Sequence, residues 1–234
     1  MRRITVSDVA CIMAATVLLY MSVLSALTTE RLGYQLWTGV LCAVLCITPM
    51  IFHQAGVMTL PFAFIALVLV AVFLHGYGVL LMTYDDLVWY DTITHTVSTI
   101  AVGMCVFYAL TAVQALDRHT SFGAKVPMIF AMIMLTFSVY WEVLELVVDM
   151  IWATNMQYSP WDTIRDMVCN TAGSLWIISF STWFLKPRID TGFIDSLELH
   201  PSLHRFITRA REHPIRADSD APELPGLVSD VDRK

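Results

Sequence analysis

The sequence predicts an all-α fold, a polytopic transmembrane helix bundle of six spans, and three observations predict it. Hydrophobic residues make up 57% of the 234 residues and charged residues only 15%, against about a quarter charged in soluble domains. Mean hydropathy is +0.65. The lack of charge is also concentrated: Val9–Leu27, Tyr34–Phe52 and Val57–Tyr84 contain no Asp, Glu, Lys or Arg, and each reaches the roughly 18 residues that mark a membrane-crossing helix. A soluble core would need amphipathic helices to cover such runs, and none precedes residue 185.

The first helix is expected over 9–28. Arg2 and Arg3 ahead of an apolar run resemble a secretory signal, but no small-x-small pattern closes the run cleanly, so it reads as a retained span. The second helix is expected over 34–53, with Pro49 ending or bending it. A re-entrant segment within 34–60 is an alternative, because the connection to the third helix, 57–83, is very short. The fourth, fifth and sixth helices are expected over 92–113, 125–152 and 164–185. Pro61 and Pro127 are placed in first turns, where a missing amide hydrogen costs little.

Residues 1–185 therefore form the bundle. Residues 186–216 form a basic juxtamembrane segment, within which Ile194–Ile207 can be an amphipathic helix on the inner leaflet or simply a tail. Residues 217–234 combine proline and acidic residues without an aromatic, the composition of a disordered tail. Cys11, Cys42, Cys46, Cys105 and Cys169 have spacings that suit neither a zinc knuckle nor a disulfide scaffold, and read as small packing residues.

Lysines and arginines near the helix ends set the orientation. Arg2, Arg3, Arg118, Lys125, Lys186 and Arg188 fall on the side of the N-terminus, against Arg31 and Arg165 on the other. That asymmetry places both termini in the cytoplasm of a multi-pass protein of the cytoplasmic (plasma) membrane. Membrane lipids are its expected partners. The net charge of −6 includes no basic surface for nucleic acid, and nothing in the pattern points to a protein partner.

The residues that a bilayer should reject carry the functional information. Glu142, Glu145 and Asp149 in the fifth helix stand at i, i+3 and i+7, within about 60° of one another on a helix. Asp162, Asp166, Asn170 and Gly173 share one face of the sixth helix, and Asp91, His95 and Ser98 share one of the fourth. His75 in the third helix, with Asp85 and Asp86 beyond its end, lies toward the same membrane side. The alternation of spans collects all of these in a polar funnel opening outward.

An ionised carboxylate in hydrocarbon costs at least about 2.5–3.5 kcal/mol. Against as many as eight acids, only Arg165 is near as a fixed cation. The carboxylates must therefore be hydrated, protonated, paired or bound to a metal. Oxygen donors with one or two imidazoles suit a divalent metal cation as cofactor, although no diagnostic motif singles out which. Asp91, His95, Glu145, Asp149 and Asp166 are the candidate ligands. Glu142, the deepest, is the candidate proton acceptor, with His95 and Asn170 beside it as catalytic groups, and His75 and Asp162 support them. Asp162 is also placed to cap the sixth helix. Tyr84, Trp89, Tyr90, Trp152, Tyr158 and Trp161 gather at the same face as an interfacial aromatic belt.

These motifs resemble a known family. The run from Tyr90 to His95 is similar to the D-x-x-x-H element of YjdF-like inner-membrane proteins. Trp141, Glu142, Glu145 and Asp149, then Met156 and Gln157, Asp162, Thr163 and Asp166, and Asn170 and Gly173 follow in the same order, over roughly residues 70–185. Asp91 with His95, and Asp166 with Asn170 and Gly173, also resemble VanZ-like proteins more distantly. Glu145 stands where that pattern has glutamine, and no arginine-rich loop is present. The resemblance implies a helix bundle and no particular activity.

Three functions fit the residues. The first is a metal-assisted enzyme acting on a lipid headgroup or isoprenoid-linked substrate at the extracytoplasmic face. The second is a proton or cation transporter. The third is a structural or lipid-interaction protein whose polar groups lock helices together.

Overall fold

The computed structural model describes residues 2–28, 32–116, 125–154, 156–157, 159–180, 197–203 and 205. Its helices are α1 (Val6–Thr28), α2 (Leu32–Gln54), α3 (Phe62–Leu80), the single turn α4 (Thr83–Asp86), α5 (Val88–Leu116), α6 (Lys125–Trp152) and α7 (Pro160–Phe180). Five of them, α1, α2, α3, α5 and α6, are long and apolar enough to cross a membrane. The chain is an all-α, multi-pass membrane bundle. Large apolar side chains such as Met13, Trp37, Leu41, Met132 and Met150 point outward along these helices, a surface that water would penalise and lipid accepts.

The helix ends follow local chemistry. α1 starts three residues before the charge-free run because Thr5 and Asp8 cap each other. The Thr5 amide donates to Asp8 Oδ2 at 2.9 Å and the Asp8 amide to Thr5 Oγ1 at 3.2 Å, a reciprocal cap. α2 passes through Pro49 without ending and leaves no break for a re-entrant segment. α3 starts at Phe62, not at residue 57, because Pro61 is its N-cap and disfavours helix in the residue before it. α3 also stops short of residue 83, where Met82 adopts a left-handed φ of 56° and turns the chain into α4.

Among the described residues the helices share two apolar clusters. In the first, Ala15 and Leu18 of α1 pack with Cys42, Ala43 and Cys46 of α2 and Leu80 of α3. Ser22 Oγ donates to the Gln35 carbonyl at 2.9 Å and Ser25 Oγ to that of Leu80 at 2.6 Å. Such interhelical bonds hold spans together where hydrophobic association is weak. Cys11, Cys42 and Cys46 are buried packing residues, as their apolar context implied. In the second, Phe107 of α5, Phe130 and Met134 of α6 and Ile177 of α7 pack together. Phe64 of α3 meets Tyr108 of α5 edge-on at 5.3 Å and links the two helices.

One end of the bundle gathers Arg2, the end of α2 and the start of α3. His53 Nδ1 lies 3.0 Å from Asp8 Oδ2, and Gln54 donates to the same oxygen at 3.0 Å. Here the segment from Leu197 to His200 runs beside Val57 and Thr59. The Thr59 amide donates to the Leu197 carbonyl at 2.7 Å and that of His200 to the Val57 carbonyl at 2.9 Å. Arg2 clamps the pair through Thr59 at 2.9 Å and Glu198 at 2.8 Å. A continuous helix over 194–207 is thereby replaced in part: 197–200 pairs with a neighbour and helix appears only from Pro201. Residues 181–196 and 206–234 lie outside the described residues, and with them most of the basic segment and the acidic tail.

Candidate metal centre

The opposite end carries the polar groups. α5 supplies Asp91 and His95, α6 supplies Glu142 and Glu145, and α7 supplies Asp162, Arg165, Asp166 and Asn170. Counted from the nearest helix ends at 1.5 Å per residue, His95, Glu145 and Asp166 all lie roughly 9–11 Å deep. Three helices thus bring their polar turns to one level. Gly173 lets α7 come close to α5, since a Cβ there would sit 3.1 Å from Thr99 Cγ2.

His95 is at the centre. Its Nε2 lies 3.4 Å from Asp91 Oδ1, 3.7 Å from Glu145 Oε1 and 3.9 Å from Asp166 Oδ2. One ligand atom from each of His95, Glu142, Glu145 and Asp166 falls within 4.8 Å of all the others, and the same holds for Asp91, Asp162 and Asp166. The first set is buried and geometrically compatible with a divalent metal ion. Arg165 closes the cluster from the surface side. Its Nη2 donates to Asp91 Oδ2 at 3.0 Å and to Asp162 Oδ1, and its Nε faces Asp166 Oδ1 at 3.7 Å.

Satisfaction of these groups is incomplete. Both oxygens of Glu142, Asp166 Oδ1 and Arg165 Nε are buried without a partner at full hydrogen-bonding geometry, with the Thr163 side chain beside the Glu142 carboxyl group, whereas the large majority of buried polar atoms in proteins have a partner. Glu142 is 7% exposed and Asp166 1%. The cluster is therefore a closed pocket instead of the open funnel expected from the spacing. Arg165 covers it, and the loop after α6 folds back so that Gln157 Nε2 donates to the Glu142 carbonyl at 3.0 Å.

Asn170 lies one turn farther in. Thr99 Oγ1 donates to its Oδ1 at 2.7 Å and its Nδ2 donates to Ser138 Oγ at 2.8 Å, so one amide ties α5, α6 and α7 together. Beneath it the apolar cluster of Phe107, Phe130, Met134 and Ile177 forms the floor. Thr99 and Ser138 were missed in the sequence, where Ser98 was placed on this face. Extending the i, i+4 rows by one turn, from His95 to Thr99 and from Glu142 back to Ser138, would have found both.

A second layer supports the cluster. Trp141 Nε1 donates to Glu145 Oε1 at 2.7 Å, and His75 packs edge-on against Trp141 at 5.3 Å. His75 Nδ1 lies 3.2 Å from the Tyr84 hydroxyl, which donates to Thr94 Oγ1 at 3.1 Å; Thr94 in turn donates to the Asp91 carbonyl at 2.8 Å. His75 thus meets the side chains of Tyr84 and Trp141. Tyr84 fits because Gly78 has no Cβ, which would collide with its ring. Trp89 and Trp161 are exposed as belt residues should be, whereas Tyr90 is buried and donates to the Leu74 carbonyl at 2.7 Å. Tyr84 and Tyr90 therefore belong to the packing of the site and not to the aromatic belt. Tyr158 and the side chains of Asp85 and Asp86 lie outside the described residues.

Asp149 and Asp162 are placed differently from expectation. Asp149 is outside both ligand sets; it accepts from Thr154 Oγ1 at 2.6 Å and from the amides of Met156 and Gln157 at 2.8 and 3.0 Å. It shapes the loop that closes the pocket. Asp162 does not cap the last helix, because α7 begins at Pro160 and the Asp162 amide approaches Ser159 Oγ at 3.4 Å. The Asp162 carboxylate pairs with Arg165.

The model of a family described as "Predicted membrane protein (DUF2238)" matches residues 10–187. The chain belongs to this family. The match runs from within α1 to beyond α7, and in this DUF2238 chain it includes every residue of the cluster. It corrects the resemblance drawn from the motifs: the family shown is DUF2238, and YjdF-like or VanZ-like membership is not. No curated protein and no solved structure matches the chain.

Proposed function

We propose that this DUF2238 protein is a metal-assisted membrane enzyme that acts on a lipid headgroup or isoprenoid-linked substrate at the extracytoplasmic face. The observation that carries the proposal is the convergence of His95, Glu142, Glu145 and Asp166 from three helices, with both Glu142 oxygens buried and short of a well-formed hydrogen bond. A purely structural network would satisfy its lone pairs, because a half-satisfied buried network is costly. Four anionic or imidazole donors around a common point suit a divalent cation instead. A transport path would need a chain of polar groups beyond the cluster, where Phe107, Phe130, Met134 and Ile177 form an apolar layer.

A divalent ion held here would polarise a phosphoryl or other ester oxygen. His95 through Nε2, Glu145 and Asp166 would hold it, and Asp91 Oδ1 stands beside that nitrogen at 3.4 Å. Glu142 completes the donor set through one oxygen and accepts a proton on the other. Asn170 fixes the depth at which the three helices meet. His75 and Trp141 hold Glu145 in place.

The topology in this proposal has six spans, α7 being the sixth. Its 21 residues extend about 31 Å, close to the thickness of a bilayer core. Arg2 and Glu198 meet at 2.8 Å at one end of the bundle, which supports an even number of crossings between them. The surplus of Lys and Arg on that side supports a cytoplasmic location for both termini.

Elemental analysis of protein purified without chelator tests the proposal. Near-unit metal is expected in the natural chain, and its loss in His95→Ala and Glu145→Gln with helix content unchanged. Absence of metal from every sample, including protein loaded with Mn2+ and desalted, would overturn it.

A further inference from the structure

Asp91 and Asp166 each divide their two oxygens between different neighbours. Asp91 Oδ1 faces His95 and its Oδ2 faces Arg165; Asp166 Oδ2 faces His95 and its Oδ1 faces Arg165. Asp162 adds a third carboxylate on the Arg165 side, and one oxygen from each of Asp91, Asp162 and Asp166 lies within 4.8 Å of the other two. The guanidinium that occupies this place fits it badly. Arg165 Nε and Asp166 Oδ1 face each other at 3.7 Å, too far for a hydrogen bond, and both are buried without another partner.

We propose that Asp91, Asp162 and Asp166 form a second divalent-cation subsite, which the Arg165 guanidinium fills as a built-in cation until a metal ion displaces it. This rests on the first subsite of the proposed function and makes the centre binuclear, with Asp166 as the carboxylate common to both donor sets. Oxygens shared in this way suit paired ions about 3.5–4 Å apart, which clamp the attacking and leaving oxygens of a phosphoryl or ester group. The substrate class narrows accordingly to phosphoesters of the membrane.

Charge and geometry agree. Five carboxylates, Asp91, Glu142, Glu145, Asp162 and Asp166, converge here, and Arg165 balances one of them. With the guanidinium displaced, two divalent ions offset four of the five. A small hard cation takes oxygen ligands at about 2.0–2.6 Å, so it engages Asp166 Oδ1 where the planar guanidinium does not. Displacement is sterically open because the Arg165 side chain is 32% exposed and can swing to the interface, carrying its charge to the headgroups. It also weakens the second ion's binding, because three ion pairs with Arg165 must be given up.

The test is Mn2+ titration of the full chain in lipid nanodiscs, read by bound-metal stoichiometry and by electron paramagnetic resonance. The natural chain is expected to bind two ions of unequal affinity, the second producing an exchange-coupled signal. Arg165→Met should tighten the second ion at least tenfold and change the first by less than threefold. Asp162→Asn, which leaves the first donor set intact, should bind one ion only. One ion in the natural chain, in Arg165→Met and in Asp162→Asn alike would overturn the second subsite and leave the proposed enzyme standing. No ion in any of them would overturn both. Should Arg165→Met fail to fold, the contrast between the natural chain and Asp162→Asn decides alone.

Discussion

Trp141 and Glu145 are locked to each other one helical turn apart, with the indole nitrogen donating to Glu145 Oε1 at 2.7 Å while His75 packs on the indole ring. The bond uses one lone pair of Glu145 and fixes the direction of the carboxylate toward His95, 3.7 Å away. Groups that orient ligands in this way typically contribute 10–100-fold in metal affinity. Trp141→Phe keeps the ring and its packing but loses the donor. It is expected to weaken Mn2+ binding about tenfold with little change in thermal stability, as measured by titration and melting of the same sample. Unchanged affinity would show that Glu145 is oriented without the indole.

Asp149 and Glu145 differ in task although they lie four residues apart on α6. Asp149 accepts three bonds from the loop that follows and stands apart from both ligand sets. Asp149→Ala should cost about 1–3 kcal/mol, the scale for leaving buried donors unpaired, and should leave metal stoichiometry intact. Loss of metal with an unchanged melting temperature would return Asp149 to the ligand set.

Much of the bundle was legible because hydrocarbon imposes simple rules. Charge-free runs gave α1, α2 and α3, and the inward polar rows of α5, α6 and α7 gave Asp91, His95, Glu145 and Asp166. The misses have local causes. Asp149 shares its row with Glu142 and Glu145, and periodicity alone cannot tell that the chain beyond Trp152 turns back onto it. Tyr84 and Tyr90 had the composition of a belt, and only the left-handed turn at Met82 and the bare face of Gly78 aim them inward. The pairing of Leu197 and His200 with Thr59 and Val57 joins segments far apart in sequence, which no local pattern encodes.

Asn170 is the inner boundary of the site. Its amide is engaged on both sides, by Thr99 and by Ser138. Asn170→Asp replaces the donor facing Ser138 with a charge above an apolar floor, while Asn170→Ala removes both bonds. Interhelical bonds of this kind are worth about 0.6 kcal/mol each on average, at most about 1.7. Asn170→Ala should therefore lose about 1–2 kcal/mol, and Asn170→Asp should lose more. Thermal melting in nanodiscs checks the order; equal melting temperatures for all three proteins would show that the amide does not tie the helices.

Tyr84 lies between α3 and α5, and burial holds its phenol well above the ordinary value. The neutral form donates to Thr94 and accepts from His75. A raised value in the folded state means that the unfolded chain loses this proton first. The stabilisation is fully present below the phenol's ordinary value near 10 and declines as pH rises above it toward the folded value. Alkaline titration should therefore destabilise the natural chain, and Tyr84→Phe should reduce that slope while losing about 1 kcal/mol at neutral pH. Identical pH dependence in the two proteins would place the alkaline sensitivity elsewhere.

Glu142 gives the sharpest test, because its stability effect and its functional effect have opposite signs. Without a bound cation it is a carboxylate nine-tenths buried with neither oxygen in a well-formed hydrogen bond, and replacing a buried, unsatisfied charge with an apolar side chain of similar volume is often neutral or stabilising by about 1–4 kcal/mol. Glu142→Met should therefore raise the melting temperature of chelator-treated protein. In excess Mn2+ the order should invert: a ligand at a hundred times its dissociation constant stabilises by about 2.7 kcal/mol, and only the natural chain retains the full donor set to gain it. A Glu142→Met protein less stable than the natural chain after chelation would mean that the carboxylate is already satisfied in the resting bundle. That result would remove the observation from which the metal centre was inferred.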